Sequence, residues 1–189
     1  MSDIKSPMSI LIIEDNEIEV NNFNECIKLK NDVKLVKATN SSIVGIEYVK
    51  SYMPEGIILD LELHNGEGSG LMFLKELQKL KLDSKPLIIV TTNVASTIIY
   101  NLVRKLGVDF IFYKKQNDYS AEMVINSMIS IRNIVSNENS KQKQEGQASI
   151  EDEEKIKQMI KNEMDLIGIP NHLKRQQIFR RGNFLSDRQ

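Results

Sequence analysis

The sequence is short of the residues on which many functions depend. It has one cysteine, Cys26, so no internal disulfide can form. That residue sits among helix-patterned neighbours and reads as a small buried hydrophobe of a protein kept in the reducing cytoplasm. There are only two histidines, His64 and His172. Neither has a second histidine or a cysteine at metal-ligand spacing, which removes the zinc-site classes. A formal net charge of −1 excludes a strongly basic polymer-binding protein, although local patches remain open to it. No run of 18 apolar residues occurs, so no membrane-spanning helix is expected. The opening "MSDIKSPMSILIIEDN" has an apolar stretch that breaks at Glu14, too short for a signal peptide. What remains is a chain of 189 residues, 41% apolar, with room for one domain of ordinary size and an appendage.

Five short apolar runs recur, at Ser9–Ile13, Lys34–Ala38, Gly56–Leu59, Pro86–Val90 and Asp109–Tyr113. Stripes at helical spacing lie between and after them: Phe23 and Ile27; Ile43, Ile46 and Val49; Leu71, Leu74 and Leu77; Ile98, Leu102 and Leu106; and Val124, Met128, Ile131 and Val135. Strands alternating with helices predict an α/β domain built on a parallel sheet. Runs one, three and four are continuously apolar, as strands covered on both faces are. The domain is expected to span residues 1–136. A flexible linker over 137–149, "NENSKQKQEGQAS", contains no large apolar side chain. A helical tail over 150–189 follows, opened by Ser149 and Asp152 as a capping box. Its stripe of Ile156, Ile160, Met164 and Ile167 stops at Gly168 and Pro170 and is too small for a core of its own.

The polar residues that end these runs carry the chemistry. Glu14 and Asp15 follow the first run, Asp60 ends the third, Thr91 the fourth and Lys114 the fifth, while the second ends without such a residue. Ligands of open parallel sheets bind beyond the carboxyl ends of the strands, where strand order reverses. In the order 2-1-3-4-5 the first and third strands lie together at the centre and the second at an edge. The five side chains then converge, and the bare second run is accounted for. Three crowded carboxylates raise one another's pKa, which a divalent cation relieves. Mg²⁺ suits such a site, because it takes a couple of carboxylates and keeps positions for water and phosphate oxygens. An aspartate beside that metal can attack phosphorus, with Lys114 and the Thr91 hydroxyl placed to receive phosphoryl oxygens. The glycines Gly66, Gly68 and Gly70 also lie between a strand and a helix. A dinucleotide fingerprint needs glycine where Leu71 stands and belongs after the first strand, and no Gly-Lys-Ser/Thr motif occurs. The glycines therefore read as loop punctuation and Asp60 as the phosphate acceptor.

The segments "ILIIEDN", "IILDLEL", "PLIIVTTN" and "VDFIFYKK" together resemble the signature segments of response-regulator receiver domains of two-component signalling, over roughly Ser9 to Val135. The resemblance implies a flavodoxin-like five-stranded sheet in the order 2-1-3-4-5 and Asp60 as phosphoacceptor. It makes Glu14 and Asp15 the acid pair for Mg²⁺, with the backbone carbonyl of Glu62 as a further ligand. Thr91 becomes the switch hydroxyl and Lys114 the phosphate-binding lysine. It implies a sensor histidine kinase or phosphotransferase as partner, and allows a receiver dimer. Departures stand beside these matches. The loop after Asp60 is two residues longer than the common pattern and has His64 where proline is usual. Lys115 replaces another usual proline, and Ile111 occupies the place of the switch aromatic.

In the tail, "IKQMIKNEMDLIGIPNHLK" resembles the start of the DNA-binding output domain of the stage-zero sporulation regulator, and beyond Lys174 the pattern lapses. The expectation is a truncated output segment. From His172 to Gln189 five basic residues face one acid, which predicts at most weak, salt-sensitive nucleic-acid binding. Two functions follow from these readings. One is a phosphorylation-switched regulator of sporulation-type transcription; the other is a stand-alone module serving as phosphate sink or protein-interaction switch.

Overall fold

A computed structural model describes residues 6–142, with side chains over residues 6–134. Ten elements alternate along it: β1 (Met8–Ile13), α1 (Glu17–Lys28), β2 (Val33–Thr39), α2 (Ser42–Tyr52), β3 (Gly56–Asp60), α3 (Gly70–Lys79), β4 (Leu87–Thr92), α4 (Thr97–Lys105), β5 (Phe110–Tyr113) and α5 (Ala121–Gln142). The five strands form one sheet in the order β2-β1-β3-β4-β5, with every neighbouring pair parallel. The expected fold class and strand order are those observed.

Each helix starts where a short polar side chain can accept from the otherwise unpaired amides of its first turn. Asn16 accepts from Ile18 and Glu19 at the head of α1. Ser41, Ser69 and Ser96 do the same for α2, α3 and α4. All four caps are extended, so each chain turn into a helix is made in one residue.

Strand alternation divides the buried side chains between two faces. Leu11, Ile13, Ile57, Leu59, Ile88, Val90 and Ile111 pack in one cluster with Val49 of α2 and Phe73 and Leu74 of α3. Ile10, Ile12, Ile58 and Ile89 alternate with them, are fully buried and point to the opposite face. Right-handed crossovers put α1 on that face, because the step from β1 to β2 runs opposite to the later steps. Phe23 of α1 is completely buried there. The head of α5 lies beside α1, joined by Lys30 and Glu122 at 3.8 Å. In β3 every residue is buried, as a central strand requires.

Some expectations are corrected. Of the stripe Ile98–Leu102–Leu106, only Leu106 packs against the core. Ile98 is 80% exposed and Leu102 is also exposed, while Val103 is buried and Ile99 and Tyr100 pack against the cluster. The helix has apolar residues on two adjacent stripes, and its setting on the sheet selects one. In α2, Ile46 and Val49 are buried but Ile43 is exposed. Cys26 is half-buried rather than a core residue, and burial raises its thiol pKa. Helix α5 runs on through Gln142, six residues into the segment read as linker. Glu, Ser, Lys and Gln there form no apolar stripe, and the propensity of Glu, Lys and Gln is enough to extend an established helix. The rest of that segment, and the tail with its sporulation-regulator resemblance, lie outside the described residues.

Candidate functional site

The carboxyl ends of β1, β3, β4 and β5 bring the chosen side chains together, and β2 contributes none. Glu14 and Asp15 follow β1 directly, and Asp60 is the last residue of β3. Lys114 follows β5 and reaches across β4 and β3. Its ammonium donates to Glu14 Oε2 and Asp60 Oδ2, at 2.7 Å each. One carboxylate oxygen of each of Glu14, Asp15 and Asp60 lies within 4.8 Å of the others. Asp60 and Thr91 are paired in register, so their side chains leave the sheet on the same side.

Neighbouring amides fix the carboxylates. Asp60 Oδ1 accepts from the Glu62 amide at 2.9 Å, a turn in which an aspartate caps its own following loop. Glu14 Oε1 accepts from the Asn16 amide at 3.1 Å. Asp15 Oδ2 accepts from the Asn65 amide at 2.8 Å, across the pocket mouth. The Glu62 side chain accepts from the Asn93 amide at 3.1 Å and stands 3.8 Å from the His64 ring. Its backbone carbonyl accepts the His64 amide at 3.1 Å, which leaves one lone pair.

Charge in this pocket is out of balance. Burial, then the nearby negative charge of Asp60, pushes the Glu14 pKa up to about 7, and Lys114 only partly opposes it. Burial works against the Lys114 charge, but its hydrogen bonds to Asp60 and Glu14 outweigh this and raise its pKa. One ammonium thus faces three carboxylates, and a positive ion is what the remainder attracts. The donors are hard carboxylate oxygens, which fit Mg²⁺ by chemistry. The pocket also presents a hydroxyl. Thr91 Oγ1 is completely buried and has no hydrogen-bond partner. A buried hydroxyl is normally paired, so this one is available to an incoming oxygen.

The extended β3–α3 loop is fastened on both sides. Besides Asn65 holding Asp15, the Glu67 carbonyl accepts from the Ser42 amide and hydroxyl at the head of α2. Gly68 has φ +84°, which other residues adopt with strain. A Cβ on Gly70 would run into the Asp60 carbonyl and Leu61 backbone. The glycines are therefore more than punctuation, since Gly70 lets α3 start directly against the end of β3. Sequence reasoning also missed Tyr119. Its hydroxyl donates to Glu19 Oε1 of α1 at 2.9 Å, and Thr91 and Glu14 are near enough to affect its ionisation. A single tyrosine in the polar stretch "KKQNDYS" carries no periodic signal that would mark it.

A doubly wound sheet with a carboxylate trio and a lysine at its switch point defines a receiver-type α/β domain. The model of the response regulator receiver domain family matches residues 10–123, and the chain belongs to that family, the receivers of two-component systems. Among curated relatives, a protein-glutamate methylesterase/protein-glutamine glutaminase of Nitrosomonas europaea is 26% identical over 110 residues, 58% of this chain and 30% of that protein. The chain thus spans under a third of that relative. A LuxR-family DNA-binding response regulator from Staphylococcus aureus superposes with a TM-score of 0.55 at 24% identity, covering 65% of this chain and 98% of the other. The isolated receiver domain of RcsB from Salmonella enterica serovar Typhimurium, determined with the phosphomimetic BeF3⁻, gives 0.56 at 17% identity, covering 68% and 90%. These likenesses show the fold.

Proposed function

We propose that this receiver accepts a phosphoryl group on Asp60 from a histidine kinase or phosphotransferase. The observation that carries this reading is the setting of Asp60, with one oxygen on Lys114, the other on the Glu62 amide, and the unpaired Thr91 hydroxyl on the neighbouring strand. An Asp60 oxygen forms the new O–P bond as the bond from phosphorus to the donor breaks, giving an acyl phosphate. Lys114 then exchanges a carboxylate partner for a phosphoryl oxygen, and Thr91 donates its hydroxyl to another. Glu14, Asp15, Asp60 and the Glu62 carbonyl would hold Mg²⁺, which would supply positive charge for phosphoryl transfer. These residues position and neutralise, and the donor brings the reactive bond.

The output is regulation of transcription of the sporulation type, in the cytoplasm. What supports this is the likeness of Ile156–Lys174 to an output domain, with a DNA-binding regulator among the structural relatives. The exposed Ile98 and Leu102 of α4 favour a second reading, a switch that docks another protein. Incubation with acetyl phosphate and Mg²⁺ tests the first step by intact mass. One added phosphoryl group is expected in the natural protein and none in Asp60→Asn; equal gain in both excludes Asp60. A mobility-shift assay with the phosphorylated full chain separates the outputs. A salt-resistant, sequence-specific shift supports DNA reading, and its absence supports the protein switch.

A further inference from the structure

Of the three carboxylates in the pocket, Asp15 is the one a cation can approach most directly. Glu14 has Oε1 on the Asn16 amide and Oε2 on Lys114. Asp60 has Oδ1 on the Glu62 amide and Oδ2 on Lys114. Asp15 Oδ2 accepts from the Asn65 amide at 2.8 Å, and Oδ1 is left to a ligand. Asp15 is also only half-buried, whereas Glu14 and Asp60 are buried. Packing therefore does little to fix its carboxylate, and the Asn65 amide does that work.

That amide belongs to a short arm docked on the corner between β2 and α2. The Glu67 carbonyl accepts from the Ser42 amide at 2.9 Å and from the Ser42 hydroxyl at 3.0 Å. The Asn65 carbonyl accepts from the Asn40 side-chain amide at 3.5 Å. Ser42 is the first residue of α2 and is buried, so the arm rests on a fixed point. The approach is as close as a bare α-carbon permits. A Cβ on Gly66 would run into the Asn40 carbonyl, and one on Gly68 into the Ser42 hydroxyl. One short stretch of backbone thus both docks on α2 and donates to Asp15.

We propose that residues 65–68 are a positioning arm of the cation site, which aims Asp15 Oδ1 at the ion and sets a preference for Mg²⁺ over Ca²⁺. The proposal rests on the Mg²⁺ reading of the pocket. The positive end of the Asn65 N–H stands at Oδ2, so a cation is served by Oδ1 alone. A carboxylate offering one oxygen suits Mg²⁺, which demands a tight octahedron of ligands. Ca²⁺ is larger, takes more oxygens and readily uses both oxygens of one carboxylate. With the arm in place, that second oxygen is withheld from it. With the arm lifted, Asp15 turns freely. Mg²⁺ then loses an aimed ligand, while Ca²⁺ gains in access what it loses in order.

Gly66→Ala and Ser42→Ala test this in the full chain, because neither changes a charge or removes a group from the pocket. Circular dichroism checks the fold, and exchange of the Asn65 amide reports the arm. Calorimetry with magnesium chloride and with calcium chloride, at one pH, reports affinity. In the natural protein Mg²⁺ is expected to bind more tightly than Ca²⁺, with the Asn65 amide protected. In Gly66→Ala that protection falls, and Mg²⁺ affinity drops about tenfold, the scale of losing a partner that orients a metal ligand. Ca²⁺ affinity changes by less than about threefold. Ser42→Ala keeps the α2 amide on Glu67 and shows a smaller shift of the same kind; it decides the matter if Gly66→Ala does not fold. A Mg²⁺ preference unchanged in the folded variants, or an equal loss for both ions, overturns the proposal and leaves the metal reading intact. Natural protein that binds no Mg²⁺ overturns both.

Discussion

Replacing Lys114 by methionine isolates the charge balance of the pocket. Methionine keeps much of the side-chain volume and removes the ammonium that bridges Glu14 and Asp60 at 2.7 Å each. The side chains of lysine, glutamate and aspartate are 9%, 0% and 4% exposed, so solvent cannot take over. Removing one partner of a buried ion pair costs about 3–5 kcal/mol, against less than about 1 kcal/mol for an exposed pair. The loss must depend on pH in a defined direction. Glu14 already titrates near 7 in the folded protein, above its ordinary value of 4.5, and loss of the lysine raises it further. A folded-state pKa above the unfolded one means that the folded form binds the proton more tightly, so stability falls as pH rises through that window. Urea unfolding of the full chain, followed by circular dichroism, should show the full loss at about pH 8.5, a midpoint shift of about 2 M. At about pH 5 Glu14 carries a proton and depends less on the ammonium, so a smaller loss is expected. Mg²⁺ should restore part of the high-pH loss by supplying replacement charge. A loss below about 1 kcal/mol at high pH, or an equal loss at both, would refute this account of the pocket.

Four further outcomes are expected. Mg²⁺ raises the melting temperature of the natural protein, with about 2.7 kcal/mol of stabilisation at one hundred times Kd, and Asp15→Asn reduces that rise in a thermal scan. Mg²⁺ affinity measured by calorimetry falls as pH drops below about 7, because Glu14 takes a proton there and the ion must displace it. Gly70→Ala destabilises by about 1–3 kcal/mol in urea, since its Cβ meets the Asp60 carbonyl and the α3 start must move. Phe23→Ala costs about 3–5 kcal/mol, because the ring is fully buried against the face that carries Ile10 and Ile12.

The pocket was legible because its parts are strand ends. Asp60, Glu14, Thr91 and Lys114 each close an apolar run, and a run of known direction fixes where its last residue lies. The strand order was legible for the same reason, since one run without a polar terminus had to be an edge. Packing choices were not legible. Helix α4 carries Ile98 and Leu102 on one stripe and Ile99 and Val103 on the next, and only its seat on the sheet decides between them. Tyr119 was hidden for a related reason: it is placed by irregular turns, which have no period to read. The end of α5 was overruled by propensity, because polar helix formers continue a helix that has nothing left to bury.

The two margins of the sheet have a consequence for how copies of this chain can meet. Along β2, Lys34 and Lys37 are exposed, and the pairing with β1 slips by one residue between Ile10 and Leu11. Charged side chains and an irregular ladder both discourage a foreign strand from adding there. The other margin, β5, is only four residues long. Among the described residues neither edge offers a long, flat template of the kind from which amyloid-like stacking grows. Any association between copies of the described domain would therefore have to use helix surfaces rather than sheet edges.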